Sequence, residues 1–214
     1  QASSSFLAFS KHGAIVSVFV TVKNVLTGAQ EHLLSPSTMR SLILSDIHGN
    51  LEALEAVLEQ SQRESYAHTL VLGDLIGYGA NPNEVVERIF KLNPDLLIRG
   101  NHDKVGSGIE EPLHFNPPAA KAALWTYNAL TIENRQRVAN LPKGPRTLHS
   151  AIEICHGTPY DEDTYIFDEQ DAAVALDSAS QQVCFFGHTH LPGIFSRQSK
   201  TCLLYTTTSP RDRG

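Results

Sequence analysis

Five short polar blocks divide the chain, and most of them directly follow an apolar run. A short apolar run that ends at polar or turn residues is typical of a buried strand. In open α/β sheets, ligands bind at the carboxyl ends of the strands, so we expect the blocks to meet at one sheet edge. The blocks are Asp46-Ile47-His48, Gly73-Asp74, Gly100-Asn101-His102-Asp103, His156-Gly157 and Gly187-His188-Thr189-His190.

The pattern from Met39 onward alternates between strand and helix. Apolar residues at helical spacing occupy segments between the runs, and Asn50, Asn81 and Asn116 stand where helices would begin. Because there is no internal repeat and no long linker, this alternation predicts a single α/β domain. The predicted strands are residues 41–45, 69–72, 95–98, 151–155 and 183–186, and the predicted helices begin near residues 51, 82, 117 and 168.

The two ends of the chain do not follow this pattern. The chain begins at Gln1, and its only methionine is Met39, directly ahead of the first predicted strand. We therefore interpret residues 1–38 as an N-terminal extension, residues 39–203 as the domain and residues 204–214 as an irregular or non-native tail. The alternative for the apolar run at residues 14–22 is a signal-peptide core, since this run is too short to span a bilayer.

Charge and cysteine content restrict the partners and the compartment. The 214 residues carry a formal net charge of -6 and contain no basic block, so binding to a nucleic-acid backbone is not expected. The three cysteines match neither a zinc knuckle nor a Cys-x-x-Cys motif. Cys155 and Cys184 lie in apolar runs and are interpreted as buried thiols, which favours a cytoplasmic protein without membrane association.

The residue types in the blocks suit a metal-dependent hydrolytic site. Each block is weak by itself, because Gly-Asp after a strand is more often a turn and a single histidine more often lies on the surface. Together the blocks supply carboxylate, amide and imidazole ligands, which suit Mn, Fe or Zn. A shared carboxylate could hold two such ions roughly 3.5–4 Å apart. The blocks contain no cysteine, which argues against a structural zinc site.

In this order, the motifs DIH, GD, GNHD, HG and GHTH resemble those of the calcineurin-like metallophosphoesterase family, over residues 40 to about 195. The resemblance implies an α/β fold in which two mixed β-sheets pack as a sandwich flanked by helices. It also implies a phosphoesterase that hydrolyses phosphodiesters, and phosphomonoesters in addition, by attack of a metal-bridging hydroxide. The cofactors would be two divalent metal ions, with Mn favoured over Fe and Zn.

The same resemblance assigns roles to individual residues. Asp74 would bridge the two metal ions. His102 would face the substrate, where it protonates the leaving oxygen or stabilises charge on the phosphoryl group, and Asp103 would orient His102. The remaining ligands would be Asp46, His48 and His190 for one ion, and Asn101, His156 and His188 for the other.

Departures from the family pattern narrow the expected substrate. Phosphoprotein phosphatases of this family carry an arginine after Gly-Asp, whereas here Asp74 is followed by Leu75-Ile76-Gly77-Tyr78-Gly79. The stretch at residues 78–82 is instead similar to a group of small prokaryotic phosphodiesterase-like proteins, so the expected partner is a small phosphate ester. The alternative is a binding or scaffold protein that retains the fold without the chemistry. The complete ligand set and His102 favour the enzyme.

Overall fold

The structure is a computed structural model that describes residues 16–23, 38–149, 152–191, 193–197 and 200–204. Its strands form two sheets of four and five strands. The first sheet contains, in spatial order, β1 (Val16–Lys23), β2 (Thr38–Ser45), β3 (His68–Val71) and β4 (Leu96–Leu97). The second contains β5 (Arg146–Leu148), β6 (Ile152–Ile154), β7 (Val183–Phe186), β9 (Lys200–Leu204) and β8 (Gly193–Arg197).

Both sheets are mixed. In the first, β1 is antiparallel to β2, whereas β2, β3 and β4 run parallel. In the second, β6, β7 and β9 run parallel, and β5 and β8 lie antiparallel at the two edges. Because parallel neighbours end on the same side, the loops after β2, β3 and β4 leave the first sheet together, and those after β6 and β7 leave the second together.

Six α-helices lie within the described residues. Four begin with a side-chain cap, and two of these are at the predicted positions: Asn50 accepts the N–H of Ala53 at 3.0 Å and Asn116 accepts the N–H of Ala119 at 2.9 Å. These starts agree with the sequence pattern. The helices are α1 (Leu51–Ser61), α2 (Pro82–Leu92), α3 (Asn101–Ser107), α4 (Pro117–Ala129), α5 (Ile132–Ala139) and α6 (Glu169–Ser178).

The central strands β2 and β7 are buried on both faces, since successive side chains point to opposite sides of a sheet. In β2, Ile43 packs in the core shared by the two sheets, whereas Leu42 and Leu44 pack in the cluster that contains α1 and α2. In β7, Phe185 lies in the shared core, whereas Cys184 packs in the cluster that contains α6. The result is two mixed sheets in a sandwich flanked by helices, which confirms the expected fold class.

Two helices were not anticipated from the sequence. The α3 helix is only seven residues long and contains Gly106, so no apolar periodicity reveals it. The α5 helix is separated from α4 because Leu130 adopts an extended conformation and Thr131 caps a new helix by accepting the N–H of Asn134 at 3.1 Å. Both helices therefore depend on local backbone breaks rather than on periodicity.

Part of the N-terminal segment joins the fold. Residues 16–23 form β1, which pairs with β2 along its full length, from Val16 opposite Ser45 to Lys23 opposite Thr38. The interpretation of residues 1–38 as an extension stays a prediction, and residues 1–15, 24–37 and 205–214 lie outside the described residues. Of the helices in the described part of the chain, none combines the length and apolar character needed to cross a membrane.

Candidate metal centre

All five polar blocks lie just beyond the carboxyl end of a strand, and backbone hydrogen bonds tie them together. The N–H of His48 donates to the carbonyl of Asp74 at 2.8 Å, which joins the blocks after β2 and β3. The N–H of Gly187 donates to the carbonyl of His156 at 2.7 Å, which joins the blocks after β6 and β7. The N–H of His188 donates to Asp46 Oδ1 at 3.0 Å, and this contact joins the two sheets.

Asp74 lies at the middle of the assembled side chains. Its Oδ2 atom is 3.5 Å from Nε2 of His48 and 3.4 Å from Nε2 of His156. Its Oδ1 atom accepts the backbone N–H of His102 at 2.9 Å. One carboxylate oxygen is therefore fixed by the main chain, while the other faces imidazoles on two sides.

On the β2 side of Asp74, three side chains converge. Nε2 of His190 lies 3.2 Å from Asp46 Oδ1 and 3.2 Å from Nε2 of His48. The donor atoms of these three residues all lie within 4.8 Å of one another, a spacing that could hold one metal ion. These are the three residues that the sequence assigned to one ion.

A second group lies on the β6 side. Donor atoms of Asp74, His156 and His188 lie within 4.8 Å of one another. The amide oxygen of Asn101 lies 3.1 Å from Nε2 of His156, so it joins the same group. The structure thus brings together all seven residues predicted as ligands, in two groups, with Asp74 in the second group and 3.5 Å from His48 of the first.

Backbone carbonyls set the orientation of three imidazole rings. Nδ1 of His48 lies 3.2 Å from the carbonyl of Ile76, and Nδ1 of His156 lies 2.8 Å from the carbonyl of Leu72. In His188 the contact is reversed, since Nε2 lies 3.1 Å from the carbonyl of Asp163. A carbonyl only accepts, so each contacting nitrogen carries a proton, and a cation would bind at the opposite nitrogen.

Five of the predicted ligands have a left-handed backbone conformation, which is unusual outside glycine. Such a conformation costs about 1–3 kcal/mol per residue and persists where the surroundings impose it, often at functional sites. The tight turns point successive side chains into the centre from very short loops. The residues are Asp46, His48, Asp74, His188 and His190, with φ between 52° and 66°.

The buried carboxylates hold negative charge at neutral pH. Burial by itself would raise the pKa of Asp74, but the adjacent His156 holds that pKa well below its usual range. Burial likewise opposes the ionisation of Asp46, and His190 lowers its pKa. Burial would lower the pKa of His156, but Asp74 raises it to about 10. Ionised oxygen atoms beside imidazole nitrogens in a closed site are a donor set that fits divalent cations.

His102 is buried next to the two groups. Its ring centre lies 4.8 Å from that of His48 and 4.6 Å from those of Tyr78 and Phe115. Among the described residues, none bonds to its Nδ1 atom, and burial lowers its pKa to about 3. A donor atom of His102 also lies within 4.8 Å of donor atoms of His48 and Asp74. By distance alone, His102 could therefore serve as a further metal ligand.

Asp103 does not make the contact expected from the sequence. Its Oδ1 atom accepts the N–H of Leu75 at 2.9 Å and of Ile76 at 3.3 Å, and its Oδ2 atom accepts the N–H of Gly100 at 2.9 Å. It therefore fixes the loop after Asp74 rather than the imidazole of His102. Burial, reinforced by the nearby Asp74, raises the pKa of Asp103 to about 7. Its assignment to catalysis stays a prediction.

The family model described as calcineurin-like phosphoesterase matches residues 39–192, which is most of the chain and includes every residue of the two groups. The chain belongs to the calcineurin-like phosphoesterase family. Membership places the chain among proteins described as phosphoesterases. It also accounts for the order of the five blocks along the sequence.

Two proteins of known structure share the fold of this chain. The metallophosphoesterase from Sphaerobacter thermophilus is 31% identical, with 81% of this chain and 79% of that chain covered and a TM-score of 0.67. Hypothetical protein PH1004 from Pyrococcus horikoshii is 19% identical, with coverage of 77% and 75% and a TM-score of 0.66. The second likeness concerns the fold alone.

A curated relative is also similar to this chain in sequence. Uncharacterized protein MJ0912 from Methanocaldococcus jannaschii is 35% identical over 170 residues. The match covers 75% of this chain and 66% of that protein, so the chain spans slightly less than two thirds of the relative's length.

Sequence reasoning missed several residues that support the site. The carbonyls of Leu72, Ile76 and Asp163 orient imidazoles, but a backbone carbonyl leaves no mark in the side-chain pattern. Lys104 follows the GNHD block directly, and its side chain is almost completely buried. Its position directly after the GNHD motif was the signal in the sequence. A buried lysine in a protein usually has an acidic partner, and the structure shows such partners here.

Proposed function

We propose that this protein is a binuclear metal-dependent phosphoesterase that hydrolyses phosphodiesters of small molecules, with phosphomonoesters as weaker substrates. The observation that carries the proposal is the position of Asp74 Oδ2, which lies 3.5 Å from Nε2 of His48 and 3.4 Å from Nε2 of His156. A carboxylate between two imidazole groups can serve one cation on each side. Family membership supports the reaction class, since the matching family is described as calcineurin-like phosphoesterase.

In this proposal the seven residues divide into two ligand sets joined by Asp74. The chemistry that two bound divalent ions would supply is a more acidic water molecule and compensation of the negative charge on a phosphoryl group. The mixture of oxygen and nitrogen ligands suits Mn, Fe or Zn, with Mn favoured. The sets are Asp46, His48 and His190 on one side, and Asn101, His156 and His188 on the other.

His102 is proposed to act on the substrate. Burial lowers its pKa to about 3, so the imidazole is neutral at neutral pH and can donate one hydrogen bond. Donation to the leaving oxygen or to a phosphoryl oxygen stabilises charge that develops in the transition state. The anionic ester raises the proton affinity of a nearby imidazole, which would also permit proton transfer to the leaving oxygen.

Two tyrosines are proposed to border the substrate. The ring of Tyr78 lies 5.0 Å from that of His48 and 4.6 Å from that of His102. The ring of Tyr165 stacks on His188 at 3.8 Å and is itself exposed. Both rings adjoin the two ligand sets, so the organic groups of a phosphodiester would contact them.

The cytoplasmic location also stays part of the proposal. Cys155 and Cys184 lie on neighbouring segments with their Sγ atoms 3.6 Å apart. This separation exceeds the disulfide bond length of about 2.05 Å, so both residues are thiols in this structure. A reducing compartment would maintain them in that state.

The direct test is metal-dependent turnover. The purified protein would be stripped with chelator, reloaded with Mn, Fe or Zn, and assayed on bis(p-nitrophenyl) phosphate and p-nitrophenyl phosphate, with metal content measured on the same samples. We expect two ions per chain, no turnover in the stripped protein, and a higher kcat/KM for the diester than for the monoester.

The alternative to an enzyme is a scaffold that retains the metal site. A protein that binds two ions in the reloaded state and turns over neither ester, nor a panel of nucleotide diesters, would support that alternative. A higher kcat/KM for the monoester would be consistent with phosphoester hydrolysis and would refute only the assignment as a diesterase.

A further inference from the structure

A buried lysine lies beside the metal centre without belonging to it. Lys104, on α3, has a side chain that is only 2% exposed. Its Nζ atom lies 2.7 Å from Asp163 Oδ2, 3.2 Å from Glu110 Oε2 and 3.3 Å from Glu162 Oε1. Burial opposes the charge on Lys104, but the hydrogen bond to Asp163 and the other carboxylates outweigh burial and raise its pKa. The ammonium group is thus charged and fully paired.

A second cationic residue, which precedes the GNHD block in the sequence, contacts the loop that carries Glu162 and Asp163. Arg99 donates from Nε to Glu162 Oε2 at 3.2 Å and from a terminal nitrogen to Glu162 Oε1 at 3.0 Å. Glu162 is 5% exposed, so this two-pronged ion pair is largely shielded from water. Lys104 and Arg99 flank residues 100–103 in the sequence and together hold Glu162 and Asp163.

The loop that carries these carboxylates contacts the centre directly. The carbonyl of Asp163 faces Nε2 of His188 at 3.1 Å, and the N–H of Ile166 donates to Thr189 Oγ1 at 3.2 Å. At the start of the loop, a Cβ on Gly157 would lie 2.5 Å from the carbonyl oxygen of Thr164, so the loop folds tightly onto the HG block. Residues 157–166 therefore join the GNHD helix to the HG and GHTH blocks.

Stability alone is a poor explanation for this network. Buried ion pairs are often replaceable by apolar side chains at no loss of stability, because desolvation offsets their attraction. An apolar residue at position 104 could not donate a hydrogen bond to the carboxylate of Asp163. It therefore could not fix the position of the backbone carbonyl of Asp163. That carbonyl decides which nitrogen of His188 carries the proton.

We propose that Lys104, supported by Arg99 through Glu162, is a positioning residue for the second metal site. Its pairing with Asp163 holds the Asp163 carbonyl against Nε2 of His188, which leaves Nδ1 of His188 as the nitrogen that can bind the ion. This inference rests on the proposed function in that His188 is taken as a ligand of one ion. It adds that this ion, and not the ion beside Asp46, depends on a charge network outside the ligand set.

The test uses Lys104→Met, which keeps the length of the side chain and removes its charge. Titration of the stripped protein with Mn, followed by calorimetry and by the electron paramagnetic resonance signal of a coupled Mn pair, separates the two binding events. We expect the first Kd to change less than about twofold and the second to weaken about 10–100-fold, as supporting contacts to metal ligands commonly do. Lys121→Met, on an exposed face of α4, is the matched control and should change neither.

Asp163→Asn is a second variant that tests the same pairing if Lys104→Met does not fold. The side chain of Asp163 is 51% exposed, so this variant is expected to fold, and it weakens the pairing with Lys104 while keeping the carbonyl. It should weaken the second Kd in the same direction as Lys104→Met. If both variants bind two ions as tightly as the wild-type protein, the positioning role is refuted. Equal weakening of both ions would also refute it, because a general loss of structure affects both sites.

A measurement on the stripped protein keeps the inference separate from the proposed function. Long-range nitrogen–proton correlation spectra report which ring nitrogen of His188 is protonated. We expect the Nε2–H form in the wild-type protein and a mixture of both forms in Lys104→Met. An unchanged tautomer overturns the inference even if the enzyme is active. If the tautomer differs between the wild-type protein and Lys104→Met but the wild-type protein has no esterase activity, only the proposed function is refuted.

Discussion

The backbone N–H of His102 donates a 2.9 Å hydrogen bond to Oδ1 of Asp74. The main chain of the GNHD block therefore orients the carboxylate, while the imidazole of the same residue lies against Tyr78 and Phe115. This separation means that the side chain of His102 can be changed without removing the contact that positions Asp74. It makes the proposed roles of the two residues separable by mutation.

Replacement of Asp74 tests the shared position between the two ligand groups. In Asp74→Asn the amide loses the charge and presents an NH2 group to one neighbour, so both ions should be lost and kcat/KM should fall by at least about 100-fold. Metal analysis after dialysis, combined with the diester assay, measures both effects. Asp177→Asn, at an exposed position on α6, is the control and should retain two ions. Full occupancy with unchanged activity would exclude a bridging role.

Removal of the His102 imidazole tests the division between ligand and catalyst. His102→Ala keeps the backbone N–H to Asp74, so we expect about two ions per chain and a kcat reduced roughly 10²–10⁴-fold, the usual range for loss of a proton-handling group. Metal analysis and single-turnover kinetics on the same preparation decide the question. His114→Ala, at an exposed position, should have no effect. Loss of an ion from His102→Ala would identify His102 as a ligand instead.

Replacement of Gly100 by alanine tests the close approach of the backbone to the carboxylate of Asp74. A Cβ at this position would lie 2.1 Å from Asp74 Oδ1 and 2.6 Å from the backbone nitrogen of Asp74, so the carboxylate must move. Gly100→Ala should lose about 1–3 kcal/mol of unfolding free energy, as expected for overpacking, and should bind metal more weakly. Denaturant unfolding and metal titration measure the two effects. In Gly193→Ala the nearest contact is the movable ring of Phe195 at 3.1 Å, so much smaller changes are expected.

The ion pair at Glu162 predicts a pH-dependent contribution to stability. Burial would raise the pKa of Glu162, but the hydrogen bond from Arg99 and the charge of Lys104 hold it below its usual value of 4.5. Because the pKa is lower in the folded state, the carboxylate stabilises the fold above pH 4.5, and this contribution is lost as the pH falls further. Urea unfolding of the stripped protein from pH 3 to pH 7 should therefore give a difference between wild type and Glu162→Gln that shrinks with acid.

A matched variant separates this contribution from the general effect of acid. Glu59→Gln changes an exposed carboxylate on α1. We expect its difference from the wild-type protein to stay small over the whole pH range. If the difference for Glu162→Gln were constant between pH 3 and pH 7, the ion pair with Arg99 would not contribute to stability in this way.

Much of the centre could be predicted because its signals are local. An apolar run followed by Asp46, or by Gly73 and Asp74, is short-range information about where a strand ends. The ring orientations could not be predicted in this way. They depend on carbonyls such as those of Leu72 and Asp163, which are distant in sequence from the histidines that they contact. Asp103 illustrates the same limit, since it was expected to contact His102 and instead accepts backbone N–H groups 27 and 28 residues away.

The sequence by itself predicted five strands and four helices in their order, the family, and the chemical types of the ligands. These follow from periodicity, from turn residues and from motifs of two to four residues. Only the tertiary structure decided that His48 and His190, 142 residues apart, lie 3.2 Å from each other, and that Lys104 is buried against Glu162 and Asp163. The physical reason is that such contacts are made by packing one sheet on the other, which brings together side chains whose proximity is not encoded in any single segment.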